Sequence, residues 1–196
     1  SSDVCSSDLD IAFSLTFFFL FFWWIYLLLA FLIKITSKGP VFFVQKRSGR
    51  NGKVFNCYKF RSMYVNGESD HKAAEKEDDR FTPIGRFLRK SNLDEFPQFF
   101  NVLRGDMSIV GPRPHMLKHT DEYGKIINTF MVRHFLKPGI TGWAQVNGYR
   151  GDLTGDKMMN RVEHDVWYLE NWTFFMDLKI IFKTIFLTLK GDDNAY

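Results

Sequence analysis

A long apolar run near the start of the chain is its clearest pattern. Residues 11–33 carry no charged side chain. As an α-helix, these 23 residues would be roughly 35 Å long, which matches or exceeds the roughly 30 Å hydrocarbon thickness of a bilayer. No basic segment precedes the run and Lys34 follows it, so a cleavable signal peptide fits poorly. We therefore predict a membrane helix over residues 10–33, and a non-native or disordered tail over residues 1–9.

Two short apolar segments farther along have the pattern of β-strands. They cover residues 41–44 and 54–60, and residues 48–52 between them have turn chemistry. This arrangement predicts a β-hairpin. Residues 66–80 are polar and charged, so we expect a mobile loop or a short exposed helix there.

Two helices are predicted after this polar segment. Thr82 supplies an N-cap and Pro83 a first helical residue, and the buried side of this helix is predicted to comprise Ile84, Phe87 and Leu88. The second helix has apolar residues at helical spacing, which are Leu93, Phe96, Phe99, Phe100 and Leu103. Because proline is tolerated only near a helix start, Pro97 places Asp94 and Glu95 at the helix N-terminus, and Gly105 closes the helix.

The rest of the chain is predicted to combine rigid loops with helices. Residues 111–114 (Gly-Pro-Arg-Pro) and 138–143 read as stiff loops. The C-terminal third is predicted to be helical, with apolar side chains around most of its surface. That pattern suits a helix lying at a membrane interface and suits packing against the domain equally well.

Charge distribution indicates which side of a membrane the domain occupies. There is no Asp or Glu from residue 11 to residue 67, whereas residues 34–61 carry eight cations. Cations that follow an apolar segment mark the cytoplasmic side and attract anionic headgroups. An apolar share of 45% excludes disorder, and two cysteines exclude a disulfide scaffold or a Cys-based zinc site.

The acidic pair Asp94–Glu95 is the strongest candidate for chemistry. At a helix N-terminus, both carboxylates would be kept ionised by the backbone dipole. One carboxylate can face a substrate while the other holds Mg²⁺, an ion that takes one or two carboxylates plus substrate phosphates. An aspartate can also attack phosphorus. The alternative is that the pair only caps a helix.

Cations on rigid positions favour phosphate chemistry at this pair. Arg113 lies between two prolines, and guanidinium groups match phosphate oxygens. Lys59 and Arg61 end a predicted strand, and further basic residues precede the acidic pair. Such a constellation suits phosphoryl transfer. The sequence has no P-loop pattern, and His115 and His119 are predicted to be a surface pair.

Five motifs in order resemble the bacterial sugar transferase family, the monotopic polyprenyl-phosphate phosphoglycosyl transferases. They are residues 59–63, 93–98, 101–108, 110–114 and 137–148, and the resemblance covers nearly the whole chain. It implies transfer of a sugar 1-phosphate from a UDP-sugar to undecaprenyl phosphate with release of UMP. The C-terminal part is similar to the subgroup that loads glucose or galactose 1-phosphate in exopolysaccharide synthesis, whose members often carry extra upstream membrane helices, so we expect this chain to be a catalytic fragment.

The resemblance also assigns roles to individual residues. Asp94 would be the nucleophile that forms a covalent sugar-phosphoryl-aspartate, and Glu95 would hold Mg²⁺. The positions matched to phosphate or substrate binding are Lys59, Arg61, Arg89, Arg113, Asp165 and Asp177. The family's membrane helix is usually broken by a Ser-Pro pair, whereas Trp23 and Trp24 stand at that point here. A re-entrant and a spanning helix therefore both remain open.

Together these patterns predict a mixed, helix-rich α/β catalytic domain over residues 34–196. It would have a small β-hairpin, one N-terminal membrane helix and C-terminal interfacial helices. We expect it at the bacterial inner membrane with the domain in the cytoplasm, with membrane lipids and no nucleic acid as partners; a homo-oligomer stays open. Two alternatives remain: a non-enzymatic membrane-surface protein that binds anionic lipid or nucleic acid, and a metal-dependent hydrolase of nucleotide sugars.

Overall fold

The structure is a computed structural model that describes residues 2–67, 78–127, 129–151 and 155–190. Within these residues, helices predominate and the strands form two small two-stranded sheets. This confirms the mixed, helix-rich α/β class. The loop or exposed helix predicted over residues 66–80 lies mostly outside the described residues.

The N-terminal apolar run forms a bent pair of helices instead of one straight helix. Helix α1 (Ser2–Phe17) is followed by a π-helical turn (Phe18–Phe22) and by α2 (Trp23–Thr36). A π-helical turn is a common cause of a sharp kink, and the axes here differ by 66° without any proline. Taken singly, no described helix is long and apolar enough to cross a bilayer, although Asp10–Leu20 and Trp23–Thr36 qualify as a pair. Residues predicted as a tail form the first turns of α1.

Both arms of the bent pair pack on the rest of the domain. On α1, the buried carboxylate of Asp10 accepts hydrogen bonds from Ser108 Oγ at 3.0 Å and from the Ile109 amide at 2.8 Å. On α2, Ile33 is fully buried in a cluster with Leu88. The two arms are therefore attached to the same body.

The predicted hairpin is confirmed. Strands β1 (Phe42–Ser48) and β2 (Val54–Phe60) pair antiparallel. The tight turn between them uses left-handed backbone at Asn51 (φ 55°) and Gly52 (φ 73°). Strand β1 extends beyond its predicted end, to Ser48. The end of β2 brings Lys59 to the site described below.

Helix α3 (Pro83–Lys90) begins as predicted but buries a different face. Thr82 Oγ1 accepts from the Gly85 amide at 3.0 Å, which confirms the N-cap. Leu88 is buried as predicted, whereas Phe87 is 55% exposed. The prediction for Phe87 was wrong because Gly85 packs directly on the Ser62 backbone, where a Cβ atom would overlap. That contact turns the positions of Gly85 and Leu88, three residues apart, towards the core.

The acidic pair lies before a helix and not inside one. Leu93–Glu95 forms a 3₁₀ turn, and helix α4 (Gln98–Leu103) starts after Pro97. Asn92, with φ 58°, separates this turn from α3. The helical spacing thus predicted one helix where a tight turn and a six-residue helix occur. Gly105 follows the helix end with φ 81°, as expected for a closing glycine.

A short parallel sheet replaces one of the predicted loops. Strand β3 (Ser108–Val110) pairs with β4 (Gly139–Thr141), and a short helix α6 (Trp143–Val146) follows. The loop prediction for residues 138–143 was wrong because Gly111 and Gly139 have no side chains, which lets the two backbones touch. Residues 111–114 are irregular, as predicted.

The remaining helices are α5 (Leu117–Ile126), α7 (Asp156–Glu170) and α8 (Phe174–Lys190), with a 3₁₀ segment at Phe130–Phe135. On α8, Ile180 and Ile181 are buried in the main core. Phe182 on the same helix is 70% exposed. Helix α8 therefore packs against the domain on one side and presents aromatic rings on the other.

Candidate functional site

A cavity of about 350 Å³ lies beside the predicted acidic pair. Its basic lining combines predicted and unpredicted residues, which are Arg47, Lys59, Arg61, Arg89, Arg113, Arg150 and Arg161. Aromatic and apolar side chains, among them Phe42 and Val65, line another part. A concave, strongly basic site with an apolar part suits an anionic ligand that carries a nonpolar portion.

The carboxylate of Glu95 is held by three cations of this cavity. Its Oε1 lies 2.7 Å from Lys59 Nζ and 2.6 Å from Arg113 Nη2. Its Oε2 lies 3.2 Å from Arg113 Nη1 and 3.4 Å from Arg150 Nη2. Burial alone would raise the pKa of Glu95, but the three cations together lower it well below its ordinary value. Glu95 is therefore a firmly ionised group.

Asp94, the adjacent residue, is in the opposite condition. It is as buried as Glu95, yet its carboxylate accepts no hydrogen bond from the residues that the structure describes. Burial raises the pKa of Asp94 and the charge of Glu95 adds to the rise, while Lys59 opposes it without cancelling it. The helix dipole expected at Asp94 is not the dominant influence there, because the pair sits in a 3₁₀ turn and desolvation raises the pKa of Asp94.

The double-proline loop positions Arg113 to form a bidentate ion pair with Glu95. Two guanidinium nitrogens meet two carboxylate oxygens, at 2.6 and 3.2 Å, which is the bidentate geometry that strengthens such pairs. Both flanking prolines are buried. Glu95 raises the pKa of Arg113 against the effect of burial, so the guanidinium carries its charge in the cavity.

The other predicted phosphate-binding cations line the cavity in different ways. Arg89 donates from Nε to Ser62 Oγ at 3.0 Å, and its guanidinium lies 4.9 Å from the centre of the Phe81 ring. Arg61 donates from Nη1 to the carbonyl of Lys38 and from Nη2 to that of Ser37, the latter at 2.9 Å. Arg61 therefore ties the cavity wall to the segment after α2.

The two remaining predicted residues lie outside the contacts of the acidic pair. Asp165 is buried, and its Oδ2 lies 2.7 Å from Arg133 Nη2, an ion pair whose angles fall outside hydrogen-bond geometry. Asp177 accepts from the Tyr168 hydroxyl at 2.6 Å and from Trp172 Nε1 at 3.0 Å. Asp165 thus lies among the arginines behind the cavity, and Asp177 joins α7 to α8.

Sequence reasoning missed Arg150 and misplaced His115. Arg150 reaches Glu95 across 55 positions of the chain; its signal was its place two residues after the last motif. His115 was predicted to be on the surface, but it is 4% exposed because guanidinium groups of Arg133 and Arg161 enclose its ring. Burial, and then the charges of these arginines, lower the pKa of His115 well below its ordinary value.

The donor set at the acidic pair fits a hard divalent cation that shares its shell with a ligand. No group of three or more His, Cys, Asp or Glu side chains forms a metal site within the described residues. Two neighbouring carboxylates match an ion that takes one or two protein oxygens and completes its shell with phosphate oxygens and water. The oxygens of Glu95 already face three cations, so such an ion depends on anionic ligand oxygens for most of its coordination.

Comparison with known proteins identifies relatives of the chain. A family model described as "Bacterial sugar transferase" matches residues 2–191. The chain is similar to UDP-glucose:undecaprenyl-phosphate glucose-1-phosphate transferases of Klebsiella pneumoniae (53% identity, 83% of this chain and 35% of the relative) and of Escherichia coli K12 (50%, 81% and 34%). It is also similar to a UDP-N-acetylgalactosamine-undecaprenyl-phosphate N-acetylgalactosaminephosphotransferase of Aeromonas hydrophila (46%, 83% and 38%).

The chain spans about a third of the length of these curated relatives. The family match itself covers nearly the whole chain, including the acidic pair, the double-proline loop and the bent N-terminal helices. The chain therefore belongs to the bacterial sugar transferase family.

Proposed function

We propose that this chain transfers a hexose 1-phosphate from a UDP-sugar to undecaprenyl phosphate and releases UMP. The observation that carries the proposal is the contrast within the acidic pair. Asp94 lies beside a basic cavity with a raised pKa and accepts no side-chain hydrogen bond from the described part of the chain, whereas Glu95 is clamped by three cations. The names of the relatives support this reaction class. Glucose is the first candidate for the sugar, and galactose is the second.

In the proposed first step, a carboxylate oxygen of Asp94 attacks the sugar-bearing phosphorus of the donor. A bond forms between that oxygen and phosphorus, while the bond from phosphorus to the bridging oxygen breaks. UMP leaves with the electron pair of that bond. Burial supports this role, because a desolvated carboxylate is a stronger nucleophile than a hydrated one.

In the second step, a phosphate oxygen of undecaprenyl phosphate attacks the same phosphorus and the aspartyl–phosphorus bond breaks. The attacking oxygen is already an anion, so the step needs no general base. One carboxylate thus serves a water-soluble donor and a lipid acceptor in turn. The products are free Asp94 and undecaprenyl diphosphosugar.

The cations around Glu95 hold the diphosphate of the donor. Lys59, Arg113 and Arg150 each face Glu95, and phosphate oxygens compete for the same donors. Glu95 would hold Mg²⁺, which when bound supplies charge neutralisation at the transferred phosphoryl group. Arg113 and Lys59 stabilise the charge that develops on the departing UMP.

The bent pair of helices is proposed to enter and leave the inner leaflet on one face. Asp10 on α1 contacts Ser108, and Ile33 on α2 packs with Leu88, so both arms return to the same domain. The bend exposes apolar side chains, among them Phe19 (89%) and Trp24 (80%). Together with the cations that follow α2, this geometry supports the proposal that the catalytic domain lies on the cytoplasmic side of the plasma membrane.

The test is UMP release by purified protein in the presence of UDP-glucose, Mg²⁺ and undecaprenyl phosphate. Asp94→Ala should abolish release, whereas Asp121→Ala, a change at an exposed acidic position on α5, should retain it. With donor alone, intact mass should show a sugar-phosphate adduct on the wild type and none on Asp94→Ala. Release that survives in Asp94→Ala would remove the nucleophile from the proposal.

The same assay separates the two alternatives. A nucleotide-sugar hydrolase releases UMP, but labelled sugar never enters the organic phase. A non-enzymatic membrane-surface protein releases no UMP, and its lipid or nucleic-acid binding falls as salt rises.

A further inference from the structure

A buried group of ionisable side chains extends from the wall of the cavity into the domain and lies outside the proposed chemistry. It comprises Arg133, Arg161, Asp165 and His115, which are 3%, 4%, 2% and 4% exposed. Burying charged groups is costly unless they are paired and hydrogen-bonded. The hydrogen-bond and ion-pair partners of these four side chains show which parts of the structure they hold in place.

Arg133 reaches the backbone of the double-proline loop. Its Nη2 donates to the carbonyl oxygen of Arg113 at 2.8 Å and lies 2.7 Å from Asp165 Oδ2. Arg113 is the residue that clamps Glu95. One guanidinium group therefore links a buried carboxylate on α7 to the main chain of a cavity arginine.

Arg161 likewise holds the backbone of a second loop beside the cavity, residues 147–151. Its Nη2 donates to the carbonyl oxygens of Arg150 and Gly151 at 2.8 and 2.6 Å, and its Nε donates to that of Tyr149 at 2.8 Å. Arg150 also contacts Glu95. Three consecutive carbonyl groups of this loop are thus fixed by one side chain.

His115 joins the two guanidinium groups. Nη1 of Arg133 lies 2.8 Å from His115 Nε2, and Nη1 of Arg161 lies 3.1 Å from the same atom. Guanidinium groups only donate hydrogen bonds, so a neutral imidazole is the form of His115 that can accept between them. Arg161 and Asp165 are four residues apart on α7, which places them on one face of that helix.

We propose that Arg133, Arg161, Asp165 and His115 form a positioning network that holds the main chains of Arg113 and Arg150 and so aims both guanidinium groups at Glu95. None of the four is proposed to touch the reacting atoms. Asp165, matched by resemblance to a substrate-binding position, acts in this network through Arg133. The kinetic arm of the test rests on the proposed function, and a second arm does not.

The kinetic arm is a double-mutant cycle on the rate of UMP release. Asp165→Asn keeps the side-chain shape and removes the charge next to Arg133. We expect it to lower kcat by roughly tenfold to a hundredfold, the range that misplaced catalytic groups produce. In an Arg113→Ala background the same change should cost less than about twofold, because the group that the network aims is gone.

A merely structural role predicts a different pattern. General destabilisation would lower the rate by the same factor with and without Arg113, and that additivity would overturn the proposal. Asp177→Asn is the matched control: it is a buried Asp→Asn change on α8 at a residue that contacts Tyr168 and Trp172. Its fold-change in rate should therefore multiply with the fold-change caused by Arg113→Ala.

Substitute variants keep the cycle usable if Asp165→Asn does not fold. Arg133→Lys, which keeps the charge and loses the planar fork, then takes its place. Arg161→Lys with Arg150→Ala gives the corresponding cycle on the other loop.

The second arm measures amide hydrogen exchange and needs no activity. Asp165→Asn and Arg161→Lys should raise exchange in residues 111–115 and 147–151 respectively, and leave the β1–β2 hairpin unchanged. Unchanged exchange in both loops, or an equal rise throughout the chain, would contradict the network. If the wild-type chain releases no UMP, the proposed function is contradicted but the positioning network is not. The hydrogen-exchange measurement then decides whether the four residues hold the two loops.

Discussion

Glu95 Oε1 lies 2.6 Å from Nη2 of Arg113. This ion pair gives Glu95 an electrostatic environment different from that of the adjacent carboxylate of Asp94. The three cations compensate the negative charge of ionised Glu95 and lower its pKa. Asp94 next to it is desolvated and has a raised pKa. Neighbouring titratable groups whose pKa values are pushed apart are typical of sites where each has its own task. The opposite shifts make separate predictions for stability and for rate.

Neutral replacements of the two acids should change stability in opposite directions. Because the pKa of Asp94 is raised in the folded state, its ionised form is more stable in the unfolded chain, and stability falls as pH rises through the folded value. Asp94→Asn should therefore raise the melting temperature at pH 7 while it abolishes UMP release. Thermal unfolding in detergent checks this, and an unchanged or lowered melting temperature would contradict it.

Glu95→Gln should lower the melting temperature at the same pH. A lowered pKa means that ionised Glu95 stabilises the fold above its unfolded-state pKa, and that this contribution is lost as pH falls through the folded value. Breaking a buried ion pair costs about 3–5 kcal/mol. The cost here should be smaller, because the side chains of Lys59, Arg113 and Arg150 are 15–21% exposed. Melting temperatures of the two variants, measured side by side, give the comparison.

The pH dependence of UMP release should show an acid limb above the ordinary range of an aspartate. Asp94 attacks only when ionised, and burial raises its pKa above 3.8, so kcat/KM should fall as pH drops through the raised value. Lys59 is the strongest charge that opposes this rise. Lys59→Met should therefore move the limb to higher pH, whereas Lys53→Met in the exposed hairpin turn should leave it in place. A limb that Lys59→Met does not move would argue against Asp94 as the titrating group.

Asp10 should anchor α1 to the catalytic domain. Its carboxylate accepts from Ser108 Oγ and from the Ile109 amide, and hydrogen bonds to a charged group contribute about 1.5–3 kcal/mol each. Asp10→Ala should lower the free energy of unfolding by about 2–3 kcal/mol. Asp8→Ala, at an exposed position of the same helix, should change it by less than about 0.5 kcal/mol. Equal losses in the two variants would show that Asp10 is not an anchor.

The exposed rings of α8 should contact lipid. Phe182 is 70% exposed although Ile181 next to it is buried, as expected for a helix with one face in the headgroup region. An environment-sensitive dye on Phe182→Cys should shift to the blue in vesicles and be quenched by spin-labelled lipids. The same dye on Glu163→Cys, at an exposed site of α7, should show neither change. Identical responses at both sites would leave packing on the domain as the only role of α8.

Local signals in the sequence were sufficient for several parts of the fold. The Thr82 cap, the hairpin turn at residues 50–52 and the closing Gly105 depend on backbone conformations that a few neighbouring residues decide. The predicted buried position of Phe87 failed because a contact between Gly85 and Ser62, distant in sequence, chose the buried face of α3.

The sequence by itself determined the apolar N-terminal segment, the hairpin, the acidic pair and the order of motifs, because capping, turn formation and apolar periodicity act over a few residues. Only the tertiary structure decided that Arg150 joins Glu95, that His115 is enclosed by arginines and that Asp94 and Glu95 have opposite pKa shifts. Those properties depend on burial and on charges brought together from distant positions. The packing of the whole domain sets both, and no short stretch of the chain contains them.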